Sequence, residues 1–257
     1  MPKKILSSPF HSVKEEVQTQ KISPSFELAF LDNEFLMVEK NRPVRLMLEY
    51  MKPESILDQE QVTATIGVFG SARILSPELA REQLNLAEEN LLKNPKNEIL
   101  KRALTKAQKD LEKSIYYKEA VKFAKLASHH TKIQDTGQMY ITTGGGPGIM
   151  EAANRGAFEV GAKNVGLNII LPNEQGANPY ISPTLNFRFH YFALRKMHFL
   201  IRARALIFFP GGYGTLDELF ETLTLMQTRK MAVVPIVLFS KPYWEKIVNF
   251  QALIDEG

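Results

Sequence analysis

The sequence predicts an α/β protein: a Rossmann-like doubly wound parallel sheet, preceded by an N-terminal helical extension and interrupted by a helical hairpin. Three observations carry this reading. From residue 64 onward, short apolar runs of strand length alternate with stretches of helical periodicity, the order that builds a parallel sheet with crossover helices. The run Leu206–Phe209 is continuously apolar, as a strand buried on both faces must be. Three of the strands also pass directly into glycine-containing turns, at Gly70-Ser71-Ala72-Arg73, at Gly144–Gly148 and at Pro210–Gly214. In a doubly wound sheet such turns converge on the carboxyl edge, where ligands bind.

Taken in order, residues 1–21 are polar and aperiodic and read as a flexible tail. Residues 22–62 form the helical extension: Val44, Met47, Leu48 and Met51 recur at helix spacing, with Pro43 suited to a first helical position. The α/β domain then occupies 63–257. Its first strand is Ala64–Phe69. Ser76 and Pro77 make an N-cap and first-turn pair for a helix with Leu84, Ala87 and Leu91 on one face, which Asn94-Pro95 breaks. A second helix carries Leu100, Leu104, Ala107 and Leu111 and continues less regularly toward His129, so that 77–130 reads as a projecting hairpin. His129 and His130 have no acidic or thiol partner at ligand spacing and read as surface residues. Further strands are expected at Met139–Thr143, Val165–Leu171, Leu185–Phe189, Leu206–Phe209 and Val233–Phe239. A loop over 172–183, with Glu174, Asn178 and Tyr180, lies beside the carboxyl edge, and a last helix starts at Pro242.

Composition narrows the classes of function. The chain has 257 residues, 44% hydrophobic and 23% charged, an ordinary globular balance with enough length for a substantial core. It has no cysteine, which excludes disulfides and thiolate chemistry and fits a reducing compartment. No apolar run approaches the ~18 residues of a membrane span, and the N-terminus lacks the apolar core of a signal peptide, so a cytoplasmic protein is expected. The net charge is +4, and 77–130 holds eleven Lys/Arg against eight Asp/Glu. The signs are mixed along that region as on a solvated helix face, so neither a nucleic acid nor a membrane is expected as partner.

The densest motif is Ala205–Glu221. A strand ends at Pro210-Gly211-Gly212 and a helix pattern follows Gly214-Thr215, which leaves the first backbone N–H groups of that helix open to a phosphate. Thr215 and Glu218 also have the spacing of a capping box, in which Glu218 would fold back onto the backbone of Thr215. A glutamate so folded cannot also face a ligand, and the residue types leave both roles open. The turn at Gly144–Gly148 is not a dinucleotide fingerprint, since Ile149 holds the third glycine position, and no nucleoside-triphosphate loop of the GxxxxGK[ST] type occurs.

Four segments together, TTGGGPGIMEAANRGA, GLNIILPNEQ, YFALRKMHF and FPGGYGTLDELFETLTLMQT, resemble the LOG family of phosphoribohydrolases, long labelled lysine decarboxylases. The resemblance spans about 64–250, and the N-terminal helices and the 77–130 insertion are similar to a longer bacterial subgroup. It implies hydrolysis of the N-glycosidic bond of a nucleoside 5′-monophosphate, AMP-like or a cytokinin ribotide, to free base and ribose 5-phosphate. It also implies Arg195 and Glu218 as the catalytic pair, and an oligomer of at least two chains. Phosphate would lie on Gly211, Gly212, Gly214 and Thr215, with Gly70, Ser71 and Arg73 beside it. Gly144, Gly145, Gly146 and Met150 would border the nucleotide, Glu174 would meet the base, and Lys196 would join the substrate contacts. No metal and no organic cofactor are expected: a decarboxylase would need pyridoxal phosphate on a lysine, and Lys196 is the sole lysine in a motif. The competing reading is a non-catalytic carrier of a nucleotide or phosphorylated cofactor on the same fold. A purely structural role would leave the glycine turns unexplained.

Overall fold

A computed structural model describes residues 24–133, 138–170 and 176–256. The predicted tail at 1–21 and Glu174 lie outside the described residues. The chain divides into two compact units, Met1–Leu48 and Glu49–Gly257.

In the first unit the predicted helical extension is broken into short pieces, α1 (Asn33–Met37) and the start of α2 (Arg42–Gln59), with single 3-10 turns before and between them. Asp32 caps α1, its carboxylate accepting the Phe35 N–H at 2.8 Å. The Arg45 guanidinium ties the turns together by donating to the carbonyls of Leu36 and Val38 at 2.7 and 2.8 Å. Helix α2 runs across the boundary between the units.

The second unit is built on six parallel strands: β1 (Ala64–Phe69), β2 (Met139–Thr143), β3 (Asn164–Ile169), β4 (Asn186–Phe189), β5 (Ala203–Phe208) and β6 (Ile236–Leu238). Their spatial order is β4-β3-β2-β1-β5-β6. All pairs are parallel, with Gly67 opposite Thr142 on one side and opposite Leu206 on the other. Strand order reverses between β1 and β5, which makes their carboxyl ends the switch point of the sheet. Alternate side chains feed two cores. Leu206 and Phe208 join Phe69, Phe199 and Trp244 on one face, while Ile207 joins Val68, Ile141 and Ile149 on the other.

The insertion contains three helices rather than two: α3 (Pro77–Lys93), α4 (Glu98–Lys113) and α5 (Ile115–Ile133). Ser76 and Asn97 cap the first two through their side chains. Helix α5 belongs to the sheet and not to the projection. Its Tyr117, Ala120 and Ala124 are buried in the second core, against α6 (Ile149–Glu159). Gly156 of α6 meets the Val121 carbonyl and the Ala124 methyl so closely that no side chain fits there. The irregular periodicity read in the sequence is that of a helix burying small residues against another helix. Helix α7 (Phe192–Ile201) connects β4 to β5 and α8 (Tyr213–Gln227) connects β5 to β6, while α9 (Lys241–Ile247) and α10 (Phe250–Asp255) follow the last strand. Among the described residues no helix is long and apolar enough to cross a membrane.

Candidate functional site

The turns after β1, β2 and β5 are stitched together by backbone at the switch point. Ser71 N–H donates to the Pro210 carbonyl, and the Ser71 carbonyl accepts from Ile149 N–H, both at 3.1 Å. A cleft of about 690 Å³ opens above them, lined by Gly70–Arg73, Gly144, Met150, Phe192, Arg195, Phe199, Gly211–Glu218 and Tyr243. That volume suits a small organic ligand, for which pockets run roughly 300–1,000 Å³.

One wall is the amino end of α8. The helix begins at Tyr213 with Gly212 as its N-cap and without a side-chain cap. A helix of this length leaves its first N–H groups, at Tyr213, Gly214 and Thr215, without intrahelical acceptors, and the helix dipole adds partial positive charge there. Gly212 and Gly214 are exposed, and a Cβ on either would meet nothing within 4 Å. Gly211 is different: the Thr215 side chain occupies the place a Cβ would take. The turn is therefore bare on its open side and packed on its closed side.

The helix starts two residues before the Thr215 of the predicted capping box, and this takes Glu218 off the cap. Thr215 is the third helical residue and Glu218 the sixth, out of reach of the cap position. Thr215, Glu218, Leu219 and Thr222 are the buried residues of α8, the i, i+3, i+4, i+7 stripe that faces the core. Glu218 is only 8% exposed, and its Oε2 atom is buried without a hydrogen-bond partner. Burial pushes its carboxyl up to about 7, while the nearby Arg195 and Lys196 charges pull in the opposite direction. A carboxylate so placed is costly unless something else meets it.

Arg195 comes from α7. Its Nε donates to the Leu167 carbonyl at 2.7 Å, and its guanidinium lies over the Phe199 ring at 5.1 Å. It fits because Gly144 has no side chain, a Cβ there standing 2.5 Å from Nη2 and 2.8 Å from the Met150 sulfur. Desolvation lowers its pKa and the Glu218 charge raises it, so the two groups feel one another across the cleft. Helix α7 is itself anchored by α2. The Glu49 carboxylate accepts the N–H groups of His190 and Tyr191 at 2.9 and 2.7 Å. Glu54 bridges His198 and Arg202, at 3.1 and 2.7 Å.

The remaining predicted residues divide between the cleft and its supports. Gly70, Ser71, Arg73, Gly144, Met150, Gly211, Gly212, Gly214 and Thr215 line the cleft, with Arg73 at its exposed rim. Lys196 does not line the cleft: its ammonium is held between Asp217, at 2.9 Å, and Glu221, at 3.1 Å, on α8, close enough to Glu218 for their charges to interact. Gly145 and Gly146 lie behind the wall, clamped by Asn178, whose side-chain amide donates to both their carbonyls at 3.0 and 3.1 Å. The same amide donates to Asn154, which in turn accepts from Thr143 at 2.6 Å and donates to Asn164 at 2.8 Å. Sequence reasoning missed this buried asparagine network and the cleft residues Phe192, Phe199 and Tyr243. The spacing of Phe199, one helical turn beyond Arg195, is a signal that could have found it. Tyr243 lies in a helix with no motif.

The fold and the cleft define a class: a doubly wound α/β protein whose switch-point crevice combines an uncapped helix start with a buried carboxylate and an arginine. Residues 150–257 match the family model described as "Possible lysine decarboxylase". Among solved structures, the X-ray structure of the structural-genomics target TM1055 is similar at 19% identity over 67% of this chain and 72% of that one, with a TM-score of 0.40. No curated protein matches the chain. That label does not fit the cleft as a pyridoxal phosphate site, because no lysine among the described residues lines it and Lys196 is engaged by two carboxylates on α8.

Proposed function

We propose that the cleft hydrolyses the N-glycosidic bond of nucleoside 5′-monophosphates, releasing the free base and ribose 5-phosphate. The observation that carries this is Glu218: a buried carboxylate with an unpartnered oxygen, past an uncapped helix N-terminus and lining the same cleft as Arg195. Phosphate takes the N–H groups of Gly212 to Thr215, where the helix dipole favours an anion. Anchoring there sets the ribose over the floor of the cleft, beside Glu218. As the bond to the base breaks, positive charge grows on C1′ and the ring oxygen, and a carboxylate in a desolvated wall stabilises that charge more strongly than water does. As the C1′–N bond breaks with its electron pair going to the base, Glu218 takes a proton from the attacking water whose oxygen bonds to C1′; that proton then passes through solvent to the departed base, which restores the carboxylate. Arg195 is positioned to offset the electron pair that leaves with the base, the role its fixed guanidinium suits.

The test is release of free base from AMP, from other monophosphates and from isopentenyl-AMP. Base from AMP and its plain relatives supports a general nucleotide hydrolase; base from isopentenyl-AMP in preference supports a cytokinin-activating one. Absence of base from all of them overturns the reading.

A further inference from the structure

The turn that opens the phosphate seat is held by a residue from far down the chain. Tyr243, on α9, places its hydroxyl against both polar groups of Gly211: it accepts the Gly211 N–H at 3.3 Å and donates to the Gly211 carbonyl. Its ring meets Trp244 edge-on at 5.1 Å, and Trp244 is 2% exposed within the core. The start of α9 is pinned in turn, since Ser240, in the left-handed region at φ 74°, pairs its hydroxyl with that of Tyr116 at 2.9 Å. The Gly211 peptide is thus fixed from below by the core and from behind by Thr215. With the Gly211 N–H occupied, the remaining N–H groups of this cleft-lining turn begin at Gly212. Glu218, buried with an orphaned oxygen beyond the same turn, independently marks this end of α8 as facing a ligand.

We propose that Tyr243 is a positioning residue for the phosphate end of the ligand: it orients the Gly211 peptide so that the N–H groups of Gly212 to Thr215 converge on one anion. The inference rests on the phosphate-seat part of the proposed function, not on the hydrolysis. Its test compares the intact chain with Tyr243→Phe, which removes one oxygen and keeps the ring, using ribose 5-phosphate, inorganic phosphate and adenosine as probes in calorimetry. Losing a hydrogen-bonding hydroxyl should weaken both phosphate-bearing probes about fivefold while adenosine changes less than about twofold. With AMP as substrate, KM should rise with kcat nearly unchanged. Thermal unfolding establishes that the variant is folded. Equal weakening of adenosine and ribose 5-phosphate would mean that Tyr243 supports the cleft as a whole and overturns the proposal, as would no change in either. A wild-type protein that binds ribose 5-phosphate but frees no base from AMP sinks the hydrolase reading while the probe comparison still decides for or against Tyr243. Wild-type protein that binds neither phosphate probe overturns the inference.

Discussion

The turns after β2 and β5 look alike as strings of glycine, yet their glycines serve opposite ends. After β2, the missing side chains make room for protein. Gly145 has a left-handed φ of 75° and abuts the Asn168 amide, Gly148 abuts the backbone of Ser71 and Ala72, and Gly144 admits the guanidinium of Arg195. After β5, Gly212 and Gly214 face open space at the amino end of α8. One turn is a joint, through which the asparagine network and Arg195 are packed; the other lies open to the cleft, where we propose the phosphate seat. Glycine in a βα turn therefore marks a close approach without saying whether the approaching atoms belong to the protein or to a ligand.

Substitutions can break or sharpen that contrast. The largest effect is expected on the seat side, at Glu218. Glu218→Gln keeps the shape and removes the charge, so base release from AMP should fall on the order of 10³-fold. Stability should move the other way. A carboxyl held near 7 in the folded protein, against 4.5 when unfolded, adds stability at low pH that is lost as pH rises through that window. Above pH 7 the variant should therefore be more stable than wild type by up to about 3 kcal/mol, and at pH 4.5 the two should match, as chemical denaturation at both pH values will show. The same titration puts an acid limb near pH 7 on kcat/KM for AMP, with activity falling below it because the carboxylate is the working form. A wild-type profile flat from pH 5 to 8 would remove the carboxylate from the mechanism.

Arg195→Lys tests where joint and seat touch. The lysine cannot donate to the Leu167 carbonyl and stack on Phe199 while facing Glu218, so kcat should drop about a hundredfold with little change in fold. Gly145→Ala tests the joint alone. A methyl there combines left-handed strain with a clash against Asn168, and should destabilise the protein by roughly 2 kcal/mol in urea unfolding. Gly214→Ala is the smallest change and has the opposite sign. In the first turn of α8, with open space around it, alanine should raise stability by about 0.5–1 kcal/mol while increasing KM for AMP, because the new methyl sits where the phosphate would. Equal loss of stability at Gly145 and Gly214 would erase the distinction between the two turns.

The sequence by itself determined the alternation of strand and helix from residue 64, the three glycine turns and the residues of the RK and PGGxGTxxE segments, because these depend on local periodicity and on residues adjacent in the chain. Tertiary structure decided the rest. The order β2-β1-β5, set by long-range pairing, makes the β1 and β5 ends the crevice. Helix α8 starts at Tyr213 instead of after Thr215, because a glycine N-cap lets the chain turn earlier than capping chemistry predicts. That shift of two residues takes Glu218 off the cap and puts it on the buried stripe. Lys196, next to Arg195 in sequence, pairs with Asp217 and Glu221 and does not line the cleft, because successive helical residues stand about 100° apart. Asn178 and Tyr243 reach the glycine turns from 32 or more residues away. No spacing rule reads such contacts, since they exist only once the sheet has brought the strand ends together.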